Sequence, residues 1–471
     1  MRTLKISIST AAIAIAMLSV VSCKKEFYTK ANVNPNSPNA VPDAVLLSGA
    51  EVAMGYVQGG DMSRFASMFV QQTTGVSRQA AAYYSYVFTN QDPETMWDNL
   101  YDDVMENDMV LMKQAAKEGN HAYYGAAQIM MAYSLQLMVD EWGSIPYSQA
   151  LQGGAQLYPS YDNDKGLYDT IMNLCSRGIA NLDPTLDAND HNSPGSDDVI
   201  YGGNGANWVK FAHAIKARLY IHQSYIKSTS TNVVAMADSA LAEAGRSFGS
   251  YADDAQVMFG ASATNNNPWY QFNTQRGDIE FAYTNYTPGN YGTFSNSLVK
   301  EADPRYSMLI DSAGEATGAD AGLGTFYGGP TGVVEFSTYA EMQFVSAEAV
   351  LRGAVGVAQT YYMNGLMANM TKLGVSSGAQ TTFMAGPWGT LSVVPATALI
   401  QNAWEENIAL YLNPEAWTLW RRCNWNITPT NGSSGVPRRL LYPQSEIGLN
   451  TSASATAAAA TQWSPKVFWD K

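Results

Sequence analysis

Residues 395–443, PATALIQNAWEENIALYLNPEAWTLWRRCNWNITPTNGSSGVPRRLLYP, decide how this chain is read. The first half has helical spacing. Pro395 suits a first turn, and Leu399, Ile400, Trp404, Ile408 and Tyr411 recur every three or four residues as one apolar stripe. Asn413-Pro414 ends that helix, and Glu415 to Arg422 predicts a second, short one with Trp417 and Trp420 on the same face. Asn431-Gly432 and Ser433-Ser434-Gly435 predict an exposed loop, which leads through Pro437-Arg438-Arg439 into apolar Leu440-Leu441-Tyr442-Pro443. Arg421, Arg422, Arg438 and Arg439 thus gather in one stretch of an acidic protein. Guanidinium forks match carboxylates and phosphates, so an anion site is one reading. The aromatic flanks favour the other: internal pairing with Glu405, Glu406, Glu415 or Glu446 that anchors packed segments.

Composition narrows the function classes. Charged residues are 14% of the 471, against about 25% in an average domain, while Tyr, Trp, Asn and Gly are plentiful. The resulting surface is polar but sparsely charged, which suits neutral ligands. The formal charge is −14 and no basic patch is visible, which argues against nucleic acid as a partner. Length alone allows two or three average domains or one helical array with insertions.

The N-terminus reads as a targeting segment. Arg2 and Lys5 precede an apolar run, Ile6 to Val21, that is short for a membrane span, and Val20-Val21-Ser22-Cys23 resembles a bacterial lipobox. Residues 1–22 are then a lipoprotein signal peptide, Cys23 the lipidated residue, 23–40 a turn-rich tether, and 41–471 a single domain. Once Cys23 is lipidated only Cys175 and Cys423 remain, and both read as small core residues.

Helical periodicity covers Val41–Tyr56, Arg64–Gln72, Pro93–Lys117, His121–Glu141, Lys165–Leu182, Asn207–Lys227, Val233–Arg246 and Ser337–Arg352. From Thr73 to Asn90 the stripe breaks amid Arg78, Tyr83, Tyr84, Tyr86 and Phe88. That segment reads as alternating strand, as core packing, or as an exposed aromatic loop. Ser247–Val334 is an aromatic, amide-rich insertion, and Thr371–Val394, with Phe383 and Trp388, is a second loop region. Catalytic parts are missing: the four histidines are scattered, and no HExxH, GxSxG, GxxxxGK[ST] or CxxC pattern occurs. His213 and His222 stand too far apart on one helix for a shared metal, so no metal or cofactor is expected. Neighbouring acids such as Glu405/Glu406 diverge on a helix, which leaves a glycosidase pair only to acids distant in sequence.

EAWTLWRRCNW followed by VPRRLLYPQSEIGLN resembles the C-terminal signature of the SusD/RagB family, through Arg421, Arg422, Pro437, Arg438, Arg439, Tyr442, Pro443, Glu446 and Asn450. The resemblance extends along the chain. It includes the Asn-Pro-Asn element near residue 35, Gly143-Ser144-Ile145-Pro146-Tyr147, residues 198–225 (DVIYGGNGANWVKFAHAIKARLYIHQSY), Asp303-Pro304-Arg305 and residues 337–353 (STYAEMQFVSAEAVLRG). It implies a largely α-helical fold of tetratricopeptide-like hairpins with long irregular loop insertions. It also implies a non-enzymatic, lipid-anchored receptor on the outside of the outer membrane. Such a receptor captures oligosaccharide for a partner TonB-dependent (SusC-like) transporter. A peptide-binding member of the same family and a surface glycoside hydrolase are the competing classes.

The resemblance also brings two aromatic loop regions, Thr73–Trp97 and Asn265–Tyr291, near each other. A pyranose offers an apolar CH face and a polar hydroxyl rim, so the binding surface is expected there. Trp97, Trp269, Tyr270, Tyr283 and Tyr286 are the expected stacking rings, with Tyr83 and Tyr291 beside them, and Arg78, Asn267 and Arg276 are the expected hydrogen-bond donors. The anchoring expectation is tested by Cys23→Ala, which should leave the protein soluble or uncleaved and without fatty-acid label. Label that survives the substitution contradicts the lipobox.

Overall fold

Successive helices pack in space in the order in which they leave the chain. The computed structural model describes residues 41–75, 78–186, 190–224, 230–272, 302–311, 322–425, 427, 433 and 435–470. The lipobox and tether therefore lie outside the described residues. The principal helices are α1 (Asp43–Val57), α2 (Ser63–Phe69), α3 (Glu106–Glu118), α4 (His121–Trp142), α5 (Asp164–Asn181), α6 (Gly205–Gln223), α7 (Ser230–Ala244), α8 (Tyr339–Leu351), α9 (Ala358–Lys372), α10 (Pro395–Ala409) and α11 (Glu415–Cys423). Helix α1 packs on α3, and each helix from α3 to α8 packs on the next, ending with α9. This nearest-neighbour order is what stacked helical hairpins produce. Helix α10 lies against α8, and α11 packs on both α10 and α2, so the far ends of the chain meet.

Local chemistry sets the helix ends. The Asn163 side chain accepts from the Lys165 and Gly166 amides at the start of α5, Asn204 caps α6, and Thr338 with Glu341 forms a reciprocal capping box on α8. Helix α3 stops at Gly119 (φ 78°), a left-handed position that turns the chain directly into α4. Helix α4 is apolar on nearly every side and is buried along most of its length, as befits the centre of an array. It meets α5 through two facing glycines. A Cβ on Gly125 would stand 2.6 Å from Leu182 Cγ, and one on Gly178 2.7 Å from Ile129 Cγ1.

The insertions hold the few strands: β1 (Ala255–Met258), β2 (Ile310–Asp311), β3 (Gly322–Leu323) and β4 (Val333–Ser337). β1 pairs with β4 and β2 with β3, both antiparallel, in two-stranded sheets. The region 247–334 was expected to be irregular; β4 escapes periodicity because it is buried along four of its five residues and so does not alternate. The second loop region likewise contains a helix, Ser377–Met384, capped by Ser376. One contiguous apolar core runs from Leu46 to Trp469, and the aromatic C-terminus docks on the body, with Trp469 wholly buried.

Buried charge ties the array together. Arg422 reaches Glu348 of α8 (3.1 Å), Glu406 of α10 (2.8 Å) and Glu415 of its own helix (2.9 Å), and all four side chains are within a few per cent of full burial. Glu415 also meets His222 of α6 at 2.8 Å, whose other ring nitrogen meets Tyr168 of α5 at 2.9 Å. Burial opposes ionisation of Glu415, yet the charges of His222, Arg218 and Arg422 outweigh it and hold the carboxyl below its usual range. Arg421 lies over the Trp417 and Trp469 rings at 4.1 and 5.0 Å and donates to the Asp140 carbonyl. Arg438 pairs with Asp470, and Arg439 donates to the Trp142 carbonyl at 2.5 Å. All four arginines thus have internal partners. Two of the four expected acids go elsewhere: Glu405 pairs with Arg305 at 2.5 Å, and Glu446 accepts from Tyr161 and Asn450. Cys175 and Cys423 are buried free thiols.

Removing one partner of a buried ion pair strands the other charge, which costs about 3–5 kcal/mol. Arg422→Ala should therefore lower the melting temperature by several degrees or block folding, and a variant as stable as the parent refutes the structural role. A second expectation concerns pH. Burial pushes the Glu141 carboxyl up to about 8, against the opposing pull of Arg421. The folded form then binds this proton more tightly than the unfolded form does. Stability therefore falls as pH rises from the ordinary carboxylate range toward 8. Glu141→Gln removes that slope, so its melting temperature relative to the parent should climb between pH 5 and pH 8. A difference that stays flat or declines contradicts the assignment.

Candidate functional site

A break in the first helix builds the most suitable groove. After α1 the chain makes a π-turn, Gln58–Met62, in which Gly60 leaves helical geometry (φ −93°, ψ −115°), and then resumes as α2. Such turns recur at functional sites. Gly59 is required here by close approach, since a Cβ would stand 2.4 Å from Val334 Cγ2 of β4. Gln58 pins the turn from inside, donating to the Glu335 carbonyl at 2.7 Å and accepting from Tyr133 at 2.5 Å. Asp61 and Arg64 consequently point the other way.

There they meet two segments from elsewhere in the chain. Arg64 donates to Asp61 at 2.6 Å and to Gln79 at 3.3 Å, and its guanidinium lies 4.3 Å from the centre of the Phe272 ring. The groove holds about 430 Å³. Tyr56, Met96, Pro268 and Phe272 supply its apolar walls, and Gln79, Thr95, Asn99 and Gln271 join Asp61 and Arg64 as its polar groups. Gln79, Thr95 and Met96 belong to the first expected loop region, Thr73–Trp97, and Pro268, Gln271 and Phe272 to the second, while Asn99 lies just beyond the first. A second π-turn, Leu100–Met105, begins immediately after Asn99. Burial raises the Tyr56 phenol above its usual range, so it stays a neutral hydroxyl at any physiological pH.

The expected site residues separate into three groups. Tyr83, Trp97, Asn267 and Trp269 are buried and brace the walls from behind. Tyr83 stacks on Phe65 with ring centres 4.1 Å apart, and Trp97 packs edge-on against Trp142 at 5.3 Å. Asn267 caps the short helix Pro268–Tyr270, and Trp269 donates to Ser63 at 3.0 Å. The picture of an exposed aromatic loop over 73–90 is corrected accordingly: Tyr86 and Phe88 also turn inward, onto Phe69. These rings bury too much apolar area to be left in water when a core lies beside them. Arg78, exposed at the start of the helix Arg78–Tyr84, and half-buried Tyr270 stand next in sequence to groove segments without lining the groove. Arg276, Tyr283, Tyr286 and Tyr291 lie outside the described residues. Sequence reasoning missed Tyr56, Asp61, Arg64, Asn99 and Phe272. The available signal is the Gly59-Gly60 pair between the expected helices Val41–Tyr56 and Arg64–Gln72, which marks a break that can turn polar side chains outward.

A second cavity of about 400 Å³ lies beside Trp97 and Tyr101 but is walled by Asp98, Asp102, Glu106 and Glu446. Burial and the neighbouring acids Glu94, Asp102 and Glu446 raise the Asp98 carboxyl, so this is an electrostatically crowded site unlike the near-neutral groove. Among the described residues one group has donor atoms close enough for a metal ion: Asp140, His222 and Glu415. Those atoms are already engaged, since Asp140 accepts from Tyr168 at 2.5 Å and from Trp469 at 3.1 Å while both His222 nitrogens have partners.

Fold and site together define a helical-repeat scaffold that presents a loop-built groove. The family model described as "Starch-binding associating with outer membrane" (SusD-like) matches residues 35–443, and the chain belongs to that family. A SusD/RagB family protein from Bacteroides thetaiotaomicron superposes with a TM-score of 0.74 at 20% identity, covering 92% of this chain and 99% of that one. A chitin-binding SusD homologue from Flavobacterium johnsoniae gives 0.67 at 19% identity, over 92% and 95%. A further chitin-binding protein gives 0.74 at 21%, over 91% and 100%. At these identities the likeness carries the fold. No curated protein matches the sequence. No described helix is long and apolar enough to cross a membrane.

Proposed function

We propose that this protein is a non-enzymatic receptor that binds a neutral oligosaccharide in the groove between Tyr56, Arg64, Asn99 and Phe272. The observation that carries the reading is the mixture of groups there. The half-buried Tyr56 and Phe272 rings offer faces for pyranose CH groups, while Gln79, Asn99, Gln271 and Thr95 offer neutral donors and acceptors for hydroxyls. Arg64 is offset by Asp61 at 2.6 Å, so the groove has little net charge with which to select an ionic ligand. Membership of a family described as starch-binding, and the likeness to two structures of chitin-binding proteins, support the same ligand class. Glycoside hydrolysis needs two carboxyls about 5–9.5 Å apart, and among the described lining residues Asp61 is the one acid.

The finer reading adds place and partner. Cys23 anchors the protein by lipid to the outer membrane, facing the exterior, and residues 23–40 form the tether. From there the body delivers its ligand to a SusC-like TonB-dependent transporter. The lipobox-like residues and the family's association with the outer membrane support this assignment. Tyr270 and Arg78 would extend the groove at its margins; Arg276, Tyr283, Tyr286 and Tyr291, outside the described residues, are proposed as further ligand contacts on their residue chemistry alone.

Calorimetry with chitohexaose and maltohexaose tests the groove. Phe272→Ala and Asn99→Ala should each weaken binding roughly tenfold, about 1.4 kcal/mol, with little change in melting temperature. Affinity unchanged in both folded variants moves the site elsewhere. A melting temperature raised by peptides and not by any glycan replaces the ligand class.

A further inference from the structure

One acid faces the groove. Asp61 sits in the π-turn Gln58–Met62, next to the residue that leaves helical geometry, and its side chain is 28% exposed. Arg64, one turn later, is 1% exposed and donates to Asp61 Oδ1 at 2.6 Å. The Phe272 ring at 4.3 Å and the Tyr83 ring at 5.5 Å hold the guanidinium in turn, so its charge stays behind the carboxylate instead of meeting a ligand.

The second carboxylate oxygen is left over. Among the described residues no group donates to Asp61 Oδ2, and this oxygen keeps accessible surface. Gln79 completes the pattern: its Oε1 accepts from Arg64 at 3.3 Å, which leaves Nε2 as the donor it can offer a ligand. Half-buried Asn99 brings a second carboxamide to the same groove. A ligand there meets one ionised, acceptor-only oxygen in company with carboxamide donors.

That combination fits a sugar hydroxyl and refuses an acid. A hydroxyl can donate to Oδ2 and accept from a carboxamide at once, and a hydrogen bond to an ionised acceptor is roughly twice as strong as a neutral one. A uronate or a sulfate ester has no proton to give, and it brings a second negative charge to the same place. A site that demands a donor and repels groups lacking one discriminates between ligands of similar size.

We infer that Asp61 is the specificity-determining residue of the groove: its Oδ2 accepts from a hydroxyl of the bound unit and restricts the ligand to glycans without uronate or sulfate groups at that position. The inference rests on the saccharide-binding reading and names the group that enforces neutrality. Arg64 is a positioning residue, holding the carboxylate so that Oδ2 meets the ligand.

The test titrates the full-length protein with maltohexaose, chitohexaose and hexagalacturonate by calorimetry. The parent should bind a neutral hexaose and take hexagalacturonate at least about tenfold more weakly. Asp61→Asn should weaken the neutral hexaose roughly ten- to a hundredfold. Because Arg64 then lacks its Asp61 counter-charge, the same variant should gain about tenfold for hexagalacturonate. Asp238→Asn removes an exposed acid on α7, changes the net charge equally, and should alter neither affinity. Should Asp61→Asn fail to fold, Asp61→Glu keeps the charge on an arm one methylene longer; it should still reject hexagalacturonate and bind the neutral hexaose roughly tenfold more weakly. A folded Asp61→Asn that keeps the parent's neutral affinity, or gains none for hexagalacturonate, overturns the role of Asp61. So does Asp61→Glu with unchanged affinity, or a parent that takes hexagalacturonate as well as the neutral sugars, and each of these leaves the groove a saccharide site. A parent that binds none of the three overturns the saccharide reading and this inference with it.

Discussion

Arg422 is the residue on which the assembly of this protein depends. Its guanidinium, out of contact with water, touches carboxylates from α8, α10 and α11, and through Glu415 the contact continues to His222 on α6 and Tyr168 on α5. Charges buried this deeply are tolerable only when fully paired, because desolvation penalises each of them. Burial still pushes the Glu406 carboxyl well above its ordinary range despite Arg422 alongside. The network therefore specifies one arrangement of helices: sliding any of them separates a charge from its partner. Arg305 with Asp303 and Glu405, and Arg218 with Glu341, repeat the device at neighbouring places in the array.

A scaffold fixed in this way leaves its insertions free to shape a groove. The groove forms where helix geometry is broken, at the π-turn after α1 and beside the second one after Asn99, and both breaks are braced by packing. Gln58 and Tyr133 hold the first from the core side, while Val334 fills the space that Gly59 leaves open. The polar groups that face outward are thus set on stiff supports, which limits the ordering cost of binding a flexible chain.

The sequence made the scaffold legible and the groove much less so. Helical periodicity located most of the array to within a few residues, because each helix buries a stripe whose spacing survives in the chain. α11 and its arginines were recognisable too, although Glu348, 74 residues from Arg422, belongs to a contact that spacing cannot reveal. The strand β4 was invisible since burial on both sides erases alternation. Large aromatic side chains are the ones whose place, core or groove, the sequence does not reveal. Trp97, Trp269 and Tyr83 are expected at a binding surface for their rings, and those same rings are what the core takes first, so their neighbours Met96, Asn99, Gln271 and Phe272 line the groove. Arg64 reads in the sequence as the first residue of the expected helix Arg64–Gln72; beyond its neighbour Asp61, the chain's return at Gln79 and Phe272 adds partners that spacing does not reveal.

The central claim is that saccharide is held between the first helix break and the segment ending at Phe272. Hydrogen–deuterium exchange with and without saturating chitohexaose or maltohexaose tests it without any substitution. The account predicts protection concentrated in residues 58–64, 95–99 and 268–272, with the α5–α6 pair unchanged. Saturating sugar that leaves those three segments unprotected, with protection appearing elsewhere, contradicts it.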